Sequence, residues 1–264
     1  MATQASSLPG CVFLSFDDFS RAGKRTFASP NRCINCISFS SLHSYMFPHH
    51  PDVLHFARVD GAQALPVPQA TLEALLPAEL RPFVQIYQFQ DNQTALVTVA
   101  TTELLPTQRW EVADALVSAL SRSNVQQLTI LAALHLPYAK DSGLNVFYSG
   151  LTEGAAADEV DVAKLARADP TWEVKDPWLA ALLHLLKVEQ WPRTHLLLAK
   201  GYKPSRDLSG TYDAVDALSR ALQLFTKDRV TVDSQEVQRD LPRLLAKEKR
   251  DATAGGVDLT LLYH

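Results

Sequence analysis

The chain has 264 residues, 47% of them hydrophobic and 20% charged, with 25 basic against 29 acidic residues and a formal net charge of -4. That length can bury a substantial core, and the mild acidity argues against nucleic acid as a main partner, because phosphate binding wants a basic face. No apolar run is long enough to span a bilayer, so no membrane segment is expected.

The N-terminus lacks the charged-then-apolar pattern of a secretory signal. Arg21, Lys24, Arg25 and Arg32 among serines share the character of an organelle transit peptide, but Asp17 and Asp18 interrupt it. The apolar Val12-Phe13-Leu14 run reads as part of a strand at 12–16. Three cysteines, an odd number, do not make a disulfide framework and suit a reducing compartment. The sequon Asn92-Gln93-Thr94 carries no meaning without secretion.

The first fifty or so residues are irregular, with loop or short elements around 38–50 and an alternating stretch at 53–59 that reads as a strand. Pro66, Pro68 and Pro77 bracket a segment, 69–76, with room for a short helix only. From there the pattern is regular. Residues 83–89 alternate apolar with Gln, Asp91-Asn92 supplies a turn, and the β-branched, apolar 95–100 returns as the second strand of a hairpin. Helical spacing follows at Trp110, Val112, Ala113, Leu116, Val117 and Leu120. Residues 128–134 are apolar without alternation, which predicts a central strand covered on both faces.

A variable region, 140–176, is rich in Gly, Ala, Asp and Glu. Asp176-Pro177 then opens a helix, with Asp as N-cap and Pro in the first turn. Leu179, Leu182, Leu183 and Leu186 form its buried stripe, and Trp191-Pro192 stops it. Residues 194–199 form a strand, 201–204 a turn, and 211–225 an amphipathic helix carrying Val215, Leu218, Leu222 and Phe225. A last helix is expected over 234–249, with Pro242 starting a new turn. The alternation predicts an α/β fold: a central mixed sheet with helices on both faces, in three layers. Residues 1–250 read as one domain with an irregular start over about 1–50, and 251–264 as a flexible tail.

Candidate chemistry is sparse. Cys33 and Cys36, with His43, His49 and His50 downstream, have the residue types of a zinc site, but the second half-site is loosely spaced. A thioredoxin-like motif would need a strand-to-helix junction, which Pro30 and the Ser-Phe-Ser run do not provide. His135 ends the central strand, where α/β proteins place active sites, and Asp141 and Ser142 follow. No Gly-x-Ser-x-Gly elbow accompanies them. Neither glycine-rich phosphate cradle is present among the ten glycines. Asp158, Glu159 and Asp161 lack the spacing of a calcium loop. Trp172, Trp178 and Trp191 mark either an interface or core packing. No catalytic residue, metal site or cofactor is therefore assigned.

The chain ends Leu262-Tyr263-His264 after the tether-like residues 251–256. A terminal carboxylate can be captured by backbone amides or a lysine. The Tyr263 ring brings area and a hydroxyl, and Leu262 an aliphatic anchor.

With these residues in view, the chain resembles the proteasome assembly chaperone family, in its chaperone 1 subunit. The likeness runs over about 83–222. It is carried by 96–100, the helix from Trp110, Gln127-Leu-Thr-Ile-Leu131 with His135, and 179–202 with its Trp191-Pro192 break. The sharp element is the end, which fits the hydrophobic-tyrosine-any motif of proteasome activators and these chaperones. The first eighty or so residues and the acidic stretch near 155–161 match nothing in the family. The resemblance implies a non-enzymatic protein of the cytoplasm, and of the nucleus as a second location. It implies a heterodimer with a homologous chaperone 2, capping the outer face of the 20S α-ring. The His264 carboxylate would pair with a lysine in a pocket between α-subunits, Tyr263 would wedge against pocket backbone, and Leu262 would fill the apolar mouth. The competing expectation is an enzyme of nucleoside-phosphorylase-like or hydrolase-like type, with His135 and Asp141 in its site, since fold alone does not decide function.

Overall fold

The fold is taken from a computed structural model and is described for residues 7–16, 57–59, 62–89, 93–99, 101, 104–134, 136, 145–151, 165–189, 191, 193–200, 209–227 and 229–232. In chain order the strands are β1 (Cys11–Phe16), β2 (Ala57–Val59), β3 (Ala62–Pro66), β4 (Val84–Phe89), β5 (Thr94–Val99), β6 (Gln127–Leu134), β7 (Val146–Gly150), β8 (Ala166–Arg167), β9 (Thr194–Lys200) and β10 (Val230–Val232). The helices are α1 (Gln69–Leu75), α2 (Pro106–Arg122), α3 (Pro177–Val188) and α4 (Ser209–Phe225). All ten described strands join one sheet in the order β10-β2-β3-β4-β5-β1-β6-β9-β7-β8.

The middle of that sheet is parallel. β1 pairs with β5 on one side and β6 on the other, and β6 pairs with β9, all in parallel. Antiparallel strands flank this block on both sides, through β4 against β5 and β7 against β9. The predicted hairpin is β4–β5, in a register that sets Tyr87 opposite Leu96 and Val84 opposite Val99.

Pleating sends alternate residues to opposite faces. Val12 and Leu14, Ala95 and Val97, Leu128 and Ile130, and Leu196 and Leu198 belong to one buried cluster with α2 and α3. Thr129, Leu131 and Leu197, one step away in each strand, are equally buried on the other face. There α4 packs across β9, β7 and β10, burying Leu218, Ala221, Leu222 and Phe225. β6 is thus covered on both sides, which is why its sequence does not alternate. The architecture is the expected three layers, with a mixed sheet between helices.

Local chemistry sets the helix ends. The Asp176 carboxylate accepts from the Leu179 N–H at 2.7 Å, with Pro177 at the first helical position of α3. Asp176 is buried, so the bond has no easy substitute from water. Asp176→Ala should cost about 1–2 kcal/mol and Asp176→Asn distinctly less. Urea unfolding of the two variants measures the difference. The Trp191 N–H reaches back to the Leu186 carbonyl at 2.9 Å and closes the other end of α3. α2 ends on Asn124, whose φ of 54° is left-handed. The Val125 N–H meets the Leu120 carbonyl and the Asn124 N–H meets that of Ser121, the paired bonds of a Schellman motif. Arg122 then donates to the Leu75 carbonyl at 2.8 Å, tying the end of α2 to the end of α1.

Several elements differ from the sequence expectation. α2 starts at Pro106, four residues ahead of Trp110, and Trp110 is 48% exposed rather than part of the buried stripe. Trp110 lies instead against His184 of α3, at 5.9 Å between ring centroids. Leu183 is half-buried, at the edge of the α3 stripe. The stretch 140–176 contains β7 and β8. Their apolar runs are too short to show a period; β7 opens on the good strand formers Val146, Phe147 and Tyr148 and pairs with β9. β3 and β10 went unseen for the same reason. The expected turn at 201–204 and helix at 234–249 lie outside the described residues.

Candidate functional site

Leu262, Tyr263 and His264 lie outside the described residues, as do the rest of the tail and the early segment with Cys33, Cys36, His43, His49 and His50. His135, Asp141, Ser142 and residues 158–161 lie outside them too. Among the described residues no group of three or more His, Cys, Asp or Glu side chains could hold a metal ion. No described helix is long and apolar enough to cross a membrane. Of the three tryptophans, Trp178 and Trp191 are core residues, at 1% and 5% exposure. Trp172 is half-buried and meets Phe147 edge-on with ring centroids 4.8 Å apart. Core packing, not an interface, explains them.

One buried polar pair was not anticipated. His195 of β9 stands beneath α4, with its Nδ1 and the Tyr148 hydroxyl of β7 2.9 Å apart. The Phe225 ring of α4 lies edge-on to the imidazole at 5.2 Å. The only trace in sequence is a lone polar residue before the leucine triplet of β9. This is a buried core histidine, partnered by Tyr148 and packed against Phe225 of α4.

Burial holds the Tyr148 hydroxyl above its usual titration range, partly offset by the charge of Arg167. Burial raises the Tyr87 hydroxyl likewise. Tyr87 donates to the Gln85 side chain at 2.9 Å. Both folded-state values exceed the unfolded ones, so their contribution is complete below the unfolded range and is lost as pH rises through the folded one. Thermal stability should therefore fall more steeply above about pH 10 than in Tyr87→Phe, whose alkaline slope should be shallower. Melting curves across that range test this.

A recess opens at the amino ends of the parallel strands, the end opposite to that where α/β sheets place ligands. Its volume is about 660 Å³, and Gly10, Cys11, Gln127 and Arg193 from the starts of β1, β6 and β9 help to line it. Asn124 joins from the left-handed turn after α2, and Arg229 from the approach to β10. Arg229 donates to the hydroxyl of Thr94, a fully buried residue. No motif marks these residues, because they meet only when strands distant in sequence align.

A third feature is apolar and exposed. Trp110 stacks in a tilted arrangement on His184 at 5.9 Å, and Val188, one turn further along α3, is 62% exposed. Leu105, just before α2, is exposed as well.

No family model matches the sequence, and no curated protein does. Solved structures do resemble it. Pyrococcus furiosus PbaA, described as an archaeal homolog of proteasome-assembly chaperone, aligns with a TM-score of 0.55 and 13% identity over 92% of each chain. A monoclinic form of PbaA aligns at 0.51 and 12% identity, over 98% of this chain and 97% of that one. A Thermoplasma acidophilum protein of unknown function aligns at 0.51 and 11% identity, over 96% and 92%. At such identities the likeness is one of fold: nearly end to end, this chain has the fold of an archaeal homolog of proteasome-assembly chaperone.

Proposed function

We propose that this chain is a non-enzymatic chaperone of 20S proteasome assembly. It pairs with a homologous chaperone 2 and caps the α-ring, with Leu262, Tyr263 and His264 inserted between α-subunits. The observation that carries this reading is the likeness to PbaA over 92% of both chains, joined to the hydrophobic-tyrosine-any end of the sequence. The exposed row of Trp110, His184 and Val188 supports it by offering apolar surface for a protein partner. The protein acts in the cytoplasm and the nucleus, where the particles are built.

The mechanism needs no cofactor. A tail alone gives modest affinity, because ordering a flexible segment offsets part of its contacts. Two tails and a broad folded surface engage together, so the second contact is effectively intramolecular. Occupying the outer face blocks premature docking of regulatory caps and unwanted pairing of α-rings. Release follows when maturation of the particle removes the differential contacts. The test is co-purification of the full chain with chaperone 2 and α-ring precursors, with a chain ending at Leu261 as control. Capture by the full chain and loss by the control is the expected result. Equal capture by both removes the tail from the mechanism, and no capture by either removes the function.

A further inference from the structure

We infer that the outer face of α2 and α3 pairs with the same face of a second copy of this chain, across a two-fold axis that runs along the two helices. The topology fixes how these helices lie. Residues 123–126 lead from α2 into β6, and residues 189–193 lead from α3 into β9. β6 and β9 are parallel neighbours, so α2 and α3 run side by side in the same direction. Trp110 and His184, with ring centroids 5.9 Å apart, bridge the seam between them and stand level with each other. Large exposed hydrophobic side chains gather here. Among the described residues they are Leu65, Leu105, Trp110 and Val188, and all but Leu65 lie on these two helices or at the cap of α2. Ala180 adds a small apolar side chain on the exposed side of α3.

Charge decides the occupant. Side chains advance by about 100° per residue round a helix. Glu111 is therefore turned from Trp110 toward the flank of α2 away from α3, and Lys187 is turned from His184 toward the flank of α3 away from α2. Both are exposed, and neither is in an ion pair among the described residues. At about 1.5 Å per residue, each stands within one turn of the level of the Trp110–His184 contact. The face thus has an acidic flank, an apolar seam and a basic flank. A two-fold axis along the seam lays α2 of one copy over α3 of the other, so that every contact is made twice. Glu111 of each copy then meets Lys187 of the other, and the apolar side chains close between the two ion pairs. A two-fold axis across the helices would instead lay α2 over α2 and set acid against acid. The face is complementary to itself in the first arrangement, which is the chemistry of a second copy.

The test is sedimentation velocity of the full chain from about 1 to 100 µM. A concentration-dependent dimer is expected. Trp110→Ala should weaken it at least about tenfold, as loss of a central aromatic anchor does. Glu111→Lys and Lys187→Glu should each weaken it about tenfold, because each sets two like-charge pairs in the dimer. An equimolar mixture of these two variants restores opposite charges at both contacts, so it should dimerise as strongly as the unaltered chain. A chain that stays monomeric throughout the range, a dimer indifferent to Trp110→Ala, or a mixture no stronger than either variant alone would each overturn the inference. A monomer that loses chaperone 2 on Trp110→Ala would overturn it too, and would give the face to that partner. Self-pairing is independent of the proteasome: monomers that still capture α-ring precursors overturn the dimer alone.

Discussion

A chain ending at Leu261 should lose at least about thirtyfold in affinity for the α-ring while its melting temperature stays unchanged. Buried aromatic anchors at interfaces cost about 2 kcal/mol or more when truncated, and a terminal carboxylate on a lysine adds a charge-assisted bond. All of these go together in the truncation. The contributions differ among the three residues. Tyr263→Ala removes the ring and keeps the carboxylate in register, so most of the loss should appear there. His264→Ala keeps both the ring and the carboxylate, and should change affinity by about 0.5 kcal/mol or less. Adding one glycine after His264 keeps every side chain and shifts only the carboxylate, so it isolates the charge. Binding measured on immobilised α-rings ranks the four chains. Equal losses for Tyr263→Ala and His264→Ala would show that the ring has been assigned the wrong role. Because avidity masks a weak tail when a second one is engaged, the comparison is best made with the partner's tail removed as well.

How much of this was legible follows from which forces shape each element. β6 declared itself because burial on both faces favours a run without polar alternation, and Leu128, Ile130 and Leu131 supply it with Thr129 as the one polar side chain between them. α3 declared itself through chemistry at its ends, where Asp176 and Pro177 answer to local hydrogen bonding. The β4–β5 hairpin combined alternation with a short connection. What stayed hidden depends on distant partners. β7 pairs with β9, and β8 with β7. Tyr148 and His195 are 47 positions apart, and nothing local says that they meet. The recess is harder still, since Gly10, Asn124, Arg193 and Arg229 come from four separate approaches to the sheet. The terminal motif is the opposite case. It consists of three adjacent residues, so a docking tail of the kind proposed would carry its chemistry in sequence order and need no fold to assemble it.

The second large effect concerns stability and separates two tryptophans that look alike in sequence. Both lie near the start of a helix with helical apolar spacing behind them. Trp178 is 1% exposed, in the first turn of α3, and belongs to the core cluster shared by α2, α3 and the sheet. Trp110 is 48% exposed and rests against His184. Trp178→Ala removes a large apolar surface and leaves a cavity that a close-packed core does not collapse to fill. The expected cost is about 3–5 kcal/mol, a fifth or more of the roughly 5–15 kcal/mol that holds a typical protein folded. For a chain of this size that is a drop in Tm on the order of 10 °C. Trp110→Ala should cost no more than about 0.5 kcal/mol. If that exposed ring serves the partner, its loss should appear instead as weaker pairing with chaperone 2. Melting curves of the isolated variants read the first effect and co-purification reads the second. A Trp110→Ala variant that melts as low as Trp178→Ala would contradict the packing described here, because it would place both rings in one interior.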